Sequence, residues 1–209
     1  MRAPVARPKR VAADEPADAR LLAIAADHLR RFGPKAVTVV SIADEAGMTH
    51  ANVYRYFPSK AALIDAVAGL WLKELETLIA AIADAPDPAD DKLERLLQAW
   101  ARAHRDLLHR NRHLFDVYCD ATETARALVR KHRARLRHLL ERVLDEGIAT
   151  GKFDPRDRDR ALAFIGDAAF RFINPLAVRL DGDVPADILD GRLAAMIRVV
   201  LRALGNGSV

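Results

Sequence analysis

The 209-residue chain is 51% hydrophobic and carries 33 Lys and Arg against 29 Asp and Glu, a formal net charge of +4. That length and apolar content allow one large or two small folded domains with an ample core, and exclude a chain too polar to fold. The single cysteine, Cys119, excludes an internal disulfide and suits a reducing compartment, so a cytoplasmic location is expected.

Arg2, Arg7, Lys9 and Arg10 precede the first acid, Asp14, and account for the whole net charge of +4. Overall basicity is therefore weak grounds for a nucleic-acid partner. Pro4, Pro8 and scant apolar content predict a disordered basic tail over 1–13. It serves either as an arm on DNA or as a solubilising leader only. No apolar stretch follows these cations, so no secretory signal is expected. No run of membrane-spanning length is expected either, because even 61–72 is cut by Asp65, and no membrane partner is anticipated.

Periodicity predicts helices in succession. The first, over 17–32, places Leu21, Ile24, Ala25, Leu29 and Phe32 on one face and stops at Gly33-Pro34. A short second helix over 40–46 follows Thr38 and is closed by Gly47, which tolerates the left-handed conformation. The third spans 49–56 and ends at Phe57-Pro58, after which Ser59 caps a fourth with the stripe Leu63, Val67, Leu70, Trp71, Leu75, Leu78 and Ile82.

Beyond Pro86-Asp87-Pro88 the fifth helix has the most regular stripe, Leu93, Leu96, Leu97, Trp100, His104, Leu107 and Leu108. A sixth covers 112–119, and a seventh carries Leu128, His132, Leu136, Leu139, Leu140, Val143 and Leu144 toward Gly151. The eighth covers 157–176, and the ninth follows Pro185 and runs to Leu204. About nine helices and no convincing strand make an all-α fold. Helix lengths divide it into a three-helix unit over 14–58 and a helical bundle over 59–209, the fourth helix acting as connector.

The segment from Ile42 through Ala46-Gly47-Met48 to Phe57 meets the demands of a helix-turn-helix. Small Ala43 suits close crossing, Gly47 suits the turn, and Ile42, Ala46, Met48, Val53 and Tyr56 supply the apolar pins. In such a motif the second helix enters the major groove by its N-terminal part. His50, Ala51 and Asn52 are then placed near base edges, where Asn pairs bidentately with adenine, and Arg55 reaches guanine or phosphate.

Thr38, Ile42-Ala43, Ala46-Gly47-Met48-Thr49, Val53-Tyr54, Tyr56-Phe57-Pro58-Ser59-Lys60 and Leu63 resemble the signature of the tetracycline-repressor (TetR) family of transcriptional regulators. The resemblance covers about the first third of the chain. It implies that Thr38, Thr49, Tyr54, Tyr56 and Lys60 contact the DNA backbone, for which hydroxyls and an ammonium are suitable donors. Packing remains the alternative for Tyr54 and Tyr56, and a solvated surface position for Lys60. His50 and Asn52 depart from residues common in the family, at positions that vary with the operator.

The resemblance further implies a small-molecule effector within the bundle and a homodimer on an operator of two half-sites. Trp100, His104, Phe115, Tyr118 and Phe170 are the candidate ligand residues, aromatic surface with a few polar tips. Plain core is the alternative for each, including a hydrogen-bonded core histidine at 104. The last two helices are apolar beyond one stripe, through Ala161, Leu162, Phe164, Ile165, Ala168, Ala169, Phe172, Ile173 and Leu176, and through Leu193, Met196, Ile197, Val199, Val200, Leu201 and Leu204. A partner is expected to hide the surplus, and in the family these helices form the two-fold interface.

The cations Arg126, Arg130, Lys131, Arg133, Arg135 and Arg137 encircle the seventh helix and read as a solvated face neutralised by neighbouring acids. His104, His109 and His113 lack the spacing of a metal site, and no motif for a cofactor or for catalysis is present, so neither a cofactor nor an enzyme is expected. The reading is a ligand-responsive DNA-binding regulator, a repressor released from its operator by a small molecule. The alternative is a constitutive DNA-binding protein whose bundle only dimerises or binds another protein. An internal cavity separates the two.

Overall fold

The computed structural model describes residues 16–209, so the predicted tail over 1–13 and the start of the predicted DNA-binding domain lie outside the described residues. Among these residues are ten helices and no strand, in two compact units, one ending at Val67 and the other running from Ala68 to Val209.

The first unit holds α1 (Ala17–Ala36), α2 (Val39–Ala46), α3 (His50–Tyr56) and the start of α4 (Lys60–Ala83). Its termini are set by local chemistry. Thr38 caps α2 by accepting from the Ser41 amide, and Thr49 caps α3 by accepting from the Asn52 amide. Gly47 closes α2 at φ 65°, a conformation that costs a side chain with Cβ, and its N–H is donated back to Ala43 and Asp44. Leu21, Ile24, Ala25 and Leu29 of α1 are buried, with Ile42, Ala43 and Ala46 of α2 and Val53 of α3. His28 ties α1 to α2 by a 2.8 Å contact with Glu45.

Phe32 does not join this core; it is 54% exposed, with the Arg31 guanidinium over its ring. The chain breaks helical geometry at Gly33, and a further helical turn runs to Ala36. Tyr56, expected as an apolar pin, is also exposed, and Met48 is half-buried.

In the second unit α5 (Ala89–Arg110) is the hub. It contacts α6 (Arg112–Glu123), α7 (Ala127–Ala149), α8 (Arg158–Ile173), α9 (Pro175–Leu180) and α10 (Ala186–Gly205). One cluster joins Leu75, Ile79 and Ile82 of α4 to Leu93, Leu96, Leu97 and Trp100 of α5, Leu136, Leu140 and Val143 of α7, Leu162 and Ile165 of α8, and Ile197 and Val200 of α10. Leu70 and Leu78, predicted on the α4 stripe, are each 46% exposed, because the buried face follows Leu72, Leu75, Ile79 and Ile82 instead. Gly147 admits the Phe153 ring so closely that an added Cβ would lie 2.0 Å from it.

The single helix predicted over 157–176 is two. Asn174 leaves helical geometry and caps α9 by accepting from the Leu176 and Ala177 amides, and Pro175 occupies the first turn, where its missing N–H is not needed. With this split the described residues hold ten helices where about nine were expected. Arg158–Leu180 is also long and apolar enough to cross a membrane by length and composition, contrary to expectation. Ala161, Leu162, Ile165, Ala169 and Phe172 within it are buried in the bundle.

The basic circuit of α7 is largely paired: Arg126 with Asp120, Arg135 with Glu76 at 2.7 Å, and Arg137 with Glu141 at 2.9 Å. Arg130 donates to the Ala125 carbonyl. Lys92 of α5 is 4% exposed and donates to both carboxylate oxygens of Glu146 on α7 at 2.8 Å.

Candidate nucleic-acid interface and ligand cleft

The α3 sequence builds a helix that is held from one side only. Val53 is its single fully buried residue, while His50, Ala51, Asn52, Tyr54, Arg55 and Tyr56 are exposed. The cap residues Thr38 and Thr49 are exposed as well. Each uses an oxygen lone pair to accept a backbone N–H; the Thr49 hydroxyl proton is left for an acceptor outside the chain, while the Thr38 hydroxyl also shares a 2.9 Å hydrogen bond with the Ser41 hydroxyl. Lys60 is half-buried and donates to the Lys35 carbonyl at 3.2 Å, closing the end of α1. Two of its three N–H donors remain for a phosphate. The predicted DNA residues thus include a run of exposed donors along α3, and the two tyrosine rings are available rather than packed.

Within the second unit a cleft of about 460 Å³ is lined by Trp100 of α5, Tyr118 of α6, Arg133 and Arg137 of α7, Phe170 of α8 and Pro175 of α9, with Leu140, Leu162 and Ile173 adding apolar wall. Three of the five candidate ligand residues meet there. Phe115 is fully buried and packs edge-on against Tyr118. His104 is also fully buried and stands behind the cleft wall, its ring 5.5 Å from that of Tyr118, 5.7 Å from Trp71 and 6.4 Å from Trp100. A second cleft of about 240 Å³, lined by Arg105, Arg171, Asp181 and Asp190 among others, contains none of the five.

The polar atoms behind the wall are unusual. Neither nitrogen of His104 has a hydrogen-bond partner in the chain, nor does Trp100 Nε1 or His132 Nε2, although all are buried. Burial pushes the His104 imidazole down to about 3, with the nearby His132 adding to the effect, so it is neutral near pH 7. His132 is shifted down too, chiefly by burial and against the pull of Glu76. Its Nδ1 lies 2.8 Å from Glu76 Oε1; a carboxylate only accepts, so Nδ1 carries the proton and Nε2 is left as an acceptor. Burial also raises the Tyr118 phenol, which stays protonated.

Trp71, Glu76 and His132 were not among the predicted site residues. The signal for His132 was present, a titratable side chain inside the apolar stripe of α7, as His104 is in that of α5. Glu76 had no local mark.

His104→Leu is expected to raise the stability of the ligand-free protein by about 1–3 kcal/mol, since two unsatisfied buried nitrogens are exchanged for apolar surface of similar volume. The gap should widen on acidification. The unfolded histidine takes a proton below its ordinary value of 6.5 and the folded one only near 3, so the wild type loses stability as pH falls through that window. Melting curves at pH 7.5 and 5 check this; an unchanged or lowered melting temperature in the variant at both pH values would show that His104 is well satisfied.

A short helix pair with one exposed face, followed by a helical unit holding an aromatic-lined cleft, defines a helix-turn-helix DNA-binding regulator. Residues 21–67 match the family model for bacterial regulatory proteins of the tetR family, and residues 89–185 match that for the tetracyclin repressor-like C-terminal domain. The HTH-type transcriptional repressor KstR2 of Mycolicibacterium smegmatis is 30% identical over 165 residues, covering 75% of this chain and 78% of that protein. A TetR/AcrR-family regulator from Thermobifida fusca superposes with a TM-score of 0.64 at 25% identity, over 91% of this chain and 97% of that one. FadR of Bacillus subtilis, solved in complex with stearoyl-CoA, has a TM-score of 0.61 at 19% identity, over 90% and 98%. The chain belongs to the tetR family and is a DNA-binding transcriptional repressor.

Proposed function

We propose that this repressor binds a two-half-site operator as a homodimer in the cytoplasm and releases it when a small-molecule effector occupies the cleft behind Phe170. The observation that carries the ligand-responsive reading is the cleft of about 460 Å³ into which Trp100, Tyr118 and Phe170 all open, a size and make-up suited to a small molecule. It favours this reading over a constitutive protein with a filled bundle. FadR, of the same fold, holds an apolar-tailed molecule, stearoyl-CoA. Effector and operator are coupled only if the effector binds the two states of the repressor with different affinity.

In this reading His50, Ala51, Asn52 and Arg55 face base edges, while Thr38, Thr49, Tyr54, Tyr56 and Lys60 hold phosphates. Asn52→Ala and His50→Ala are expected to relax discrimination between operator and scrambled duplex. Lys60→Ala is expected to weaken both about equally and to reduce the salt slope by about one ion. Titrations at several salt concentrations check the contrast; equal loss of specificity from Lys60→Ala would overturn the sorting into base and phosphate contacts.

Dimerisation through the last long helices, α8 and α10, is supported by apolar surface left outside the core. Val199 is 62% exposed on α10, and Phe164 and Ala168 on α8 and Met196 and Leu201 on α10 are only half-buried. Val200 and Leu204, by contrast, are fully packed within the bundle. Val199→Glu is therefore the discriminating change, expected to give folded monomers in sedimentation velocity. An intact dimer would place the interface elsewhere.

A further inference from the structure

Four polar atoms lie together behind the cleft wall without partners: both nitrogens of His104, Trp100 Nε1 and His132 Nε2. Their residues are 0%, 9% and 1% exposed. They belong to one contiguous group of rings, since Tyr118 packs on both His104 and His132, and Trp100 packs on His104. Trp100 and Tyr118 also line the cleft. Those two rings therefore touch both the cleft and the histidines that carry the unpartnered atoms.

The kinds of hydrogen bond on offer are fixed. Trp100 Nε1 only donates, and His132 Nε2 only accepts because its Nδ1 proton is committed to Glu76. Neutral His104 offers one donor and one acceptor. No cation stands among them, and an ionised head taken this deep would go unpaired, which is strongly unfavourable. The cleft's cations, Arg133 and Arg137, lie on its α7 wall. A hydroxyl carries one donor and two acceptor lone pairs on one atom and so satisfies any donor–acceptor pair of these groups, whereas an ether or ketone leaves the His132 acceptor unmet.

We infer that the effector is an uncharged, largely apolar molecule bearing a hydroxyl group, and that the hydroxyl displaces the Trp100 or Tyr118 ring to hydrogen-bond within the Trp100–His104–His132 cluster. This rests on the cleft being the effector site. The closed arrangement leaves four polar atoms unsatisfied, so ring displacement by a hydroxyl exchanges lost packing for bonds that the chain itself does not make.

The two tryptophans of the chain, Trp71 and Trp100, both flank His104, so selectively excited tryptophan emission reports on this cluster. The test titrates the full-length protein with two matched series, linear (1-decanol, decyl methyl ether, decanoate) and compact (1-adamantanol, 1-methoxyadamantane, adamantane-1-carboxylate). In at least one series the alcohol is expected to bind about tenfold more tightly than its ether and its carboxylate, with a change in tryptophan emission. His104→Leu is expected to shrink the alcohol's advantage over the ether to what the His132 acceptor alone supports. Trp100→Phe, which keeps the ring and removes the donor, repeats the comparison through Trp71 should the first variant fail to fold. Binding of alcohol and ether with equal affinity in the wild type would overturn the hydroxyl assignment and leave the cleft as an effector site. Preferred carboxylate binding, lost in Arg133→Ala, would replace it with an anionic effector. Absence of any binding, by emission and by thermal shift, would overturn the effector cleft itself.

Discussion

Val53→Asp is expected to reduce operator affinity more than 100-fold while leaving most of the helical signal of the protein intact. Val53 is the only buried residue of α3, with no exposed surface, and it is what seats the helix against its neighbours. A carboxylate there has no partner within the apolar contact, and burying such a group costs about 2–7 kcal/mol even before its charge is counted. The helix is only seven residues long, too short to persist once its anchor is lost. The second unit has its own core, from Leu75 to Leu204, and should remain folded. Fluorescence anisotropy with operator DNA, alongside circular dichroism, checks both halves. Near-normal operator binding would mean that α3 is not the element that reads DNA.

Glu146→Ala is expected to destabilise the bundle by about 3–5 kcal/mol, the cost of leaving a buried charge without its partner. The ammonium of Lys92 donates to both oxygens of Glu146 at 2.8 Å and has no other partner among the described residues. Glu146 is itself 39% exposed at its side chain, so the carboxylate loses little by being there while the buried ammonium depends on it. At about 2–4 °C per kcal/mol for a domain of this size, the melting temperature should fall by roughly 6–20 °C. The double change Lys92→Met with Glu146→Ala removes the stranded charge and should recover most of the loss. Failure of the double variant to recover would show that the pair contributes through packing of the Lys92 stem and not through its charge.

The head of the molecule was legible in the sequence because its determinants are local. Thr38, Gly47, Thr49 and Pro58 act on backbone groups within four residues of themselves, so caps, turn and helix ends follow from composition at fixed offsets. Asn174-Pro175 is equally local, but the apolar run on either side of it conceals the break. Exposure was less readable. Phe32, Leu70 and Leu78 fit helical stripes on paper and end at the surface, since a stripe wider than the available contact leaves its margin outside.

What only the tertiary structure decided is which residues from distant helices meet. Glu76 and His132 lie 56 positions apart, and nothing near either one announces the bond that fixes the His132 tautomer. Lys92 and Glu146, 54 apart, are the same case. Trp100, Tyr118 and Phe170 share a cleft because α5, α6 and α8 are packed around it, and His104 falls behind that wall although its spacing matches theirs. The sequence by itself determined the helices, the helix-turn-helix and the class of protein, because these rest on backbone chemistry at short range. The cleft and its unpartnered polar atoms arise from how side chains on separate helices fill or fail to fill the space between them, and no single helix carries that information.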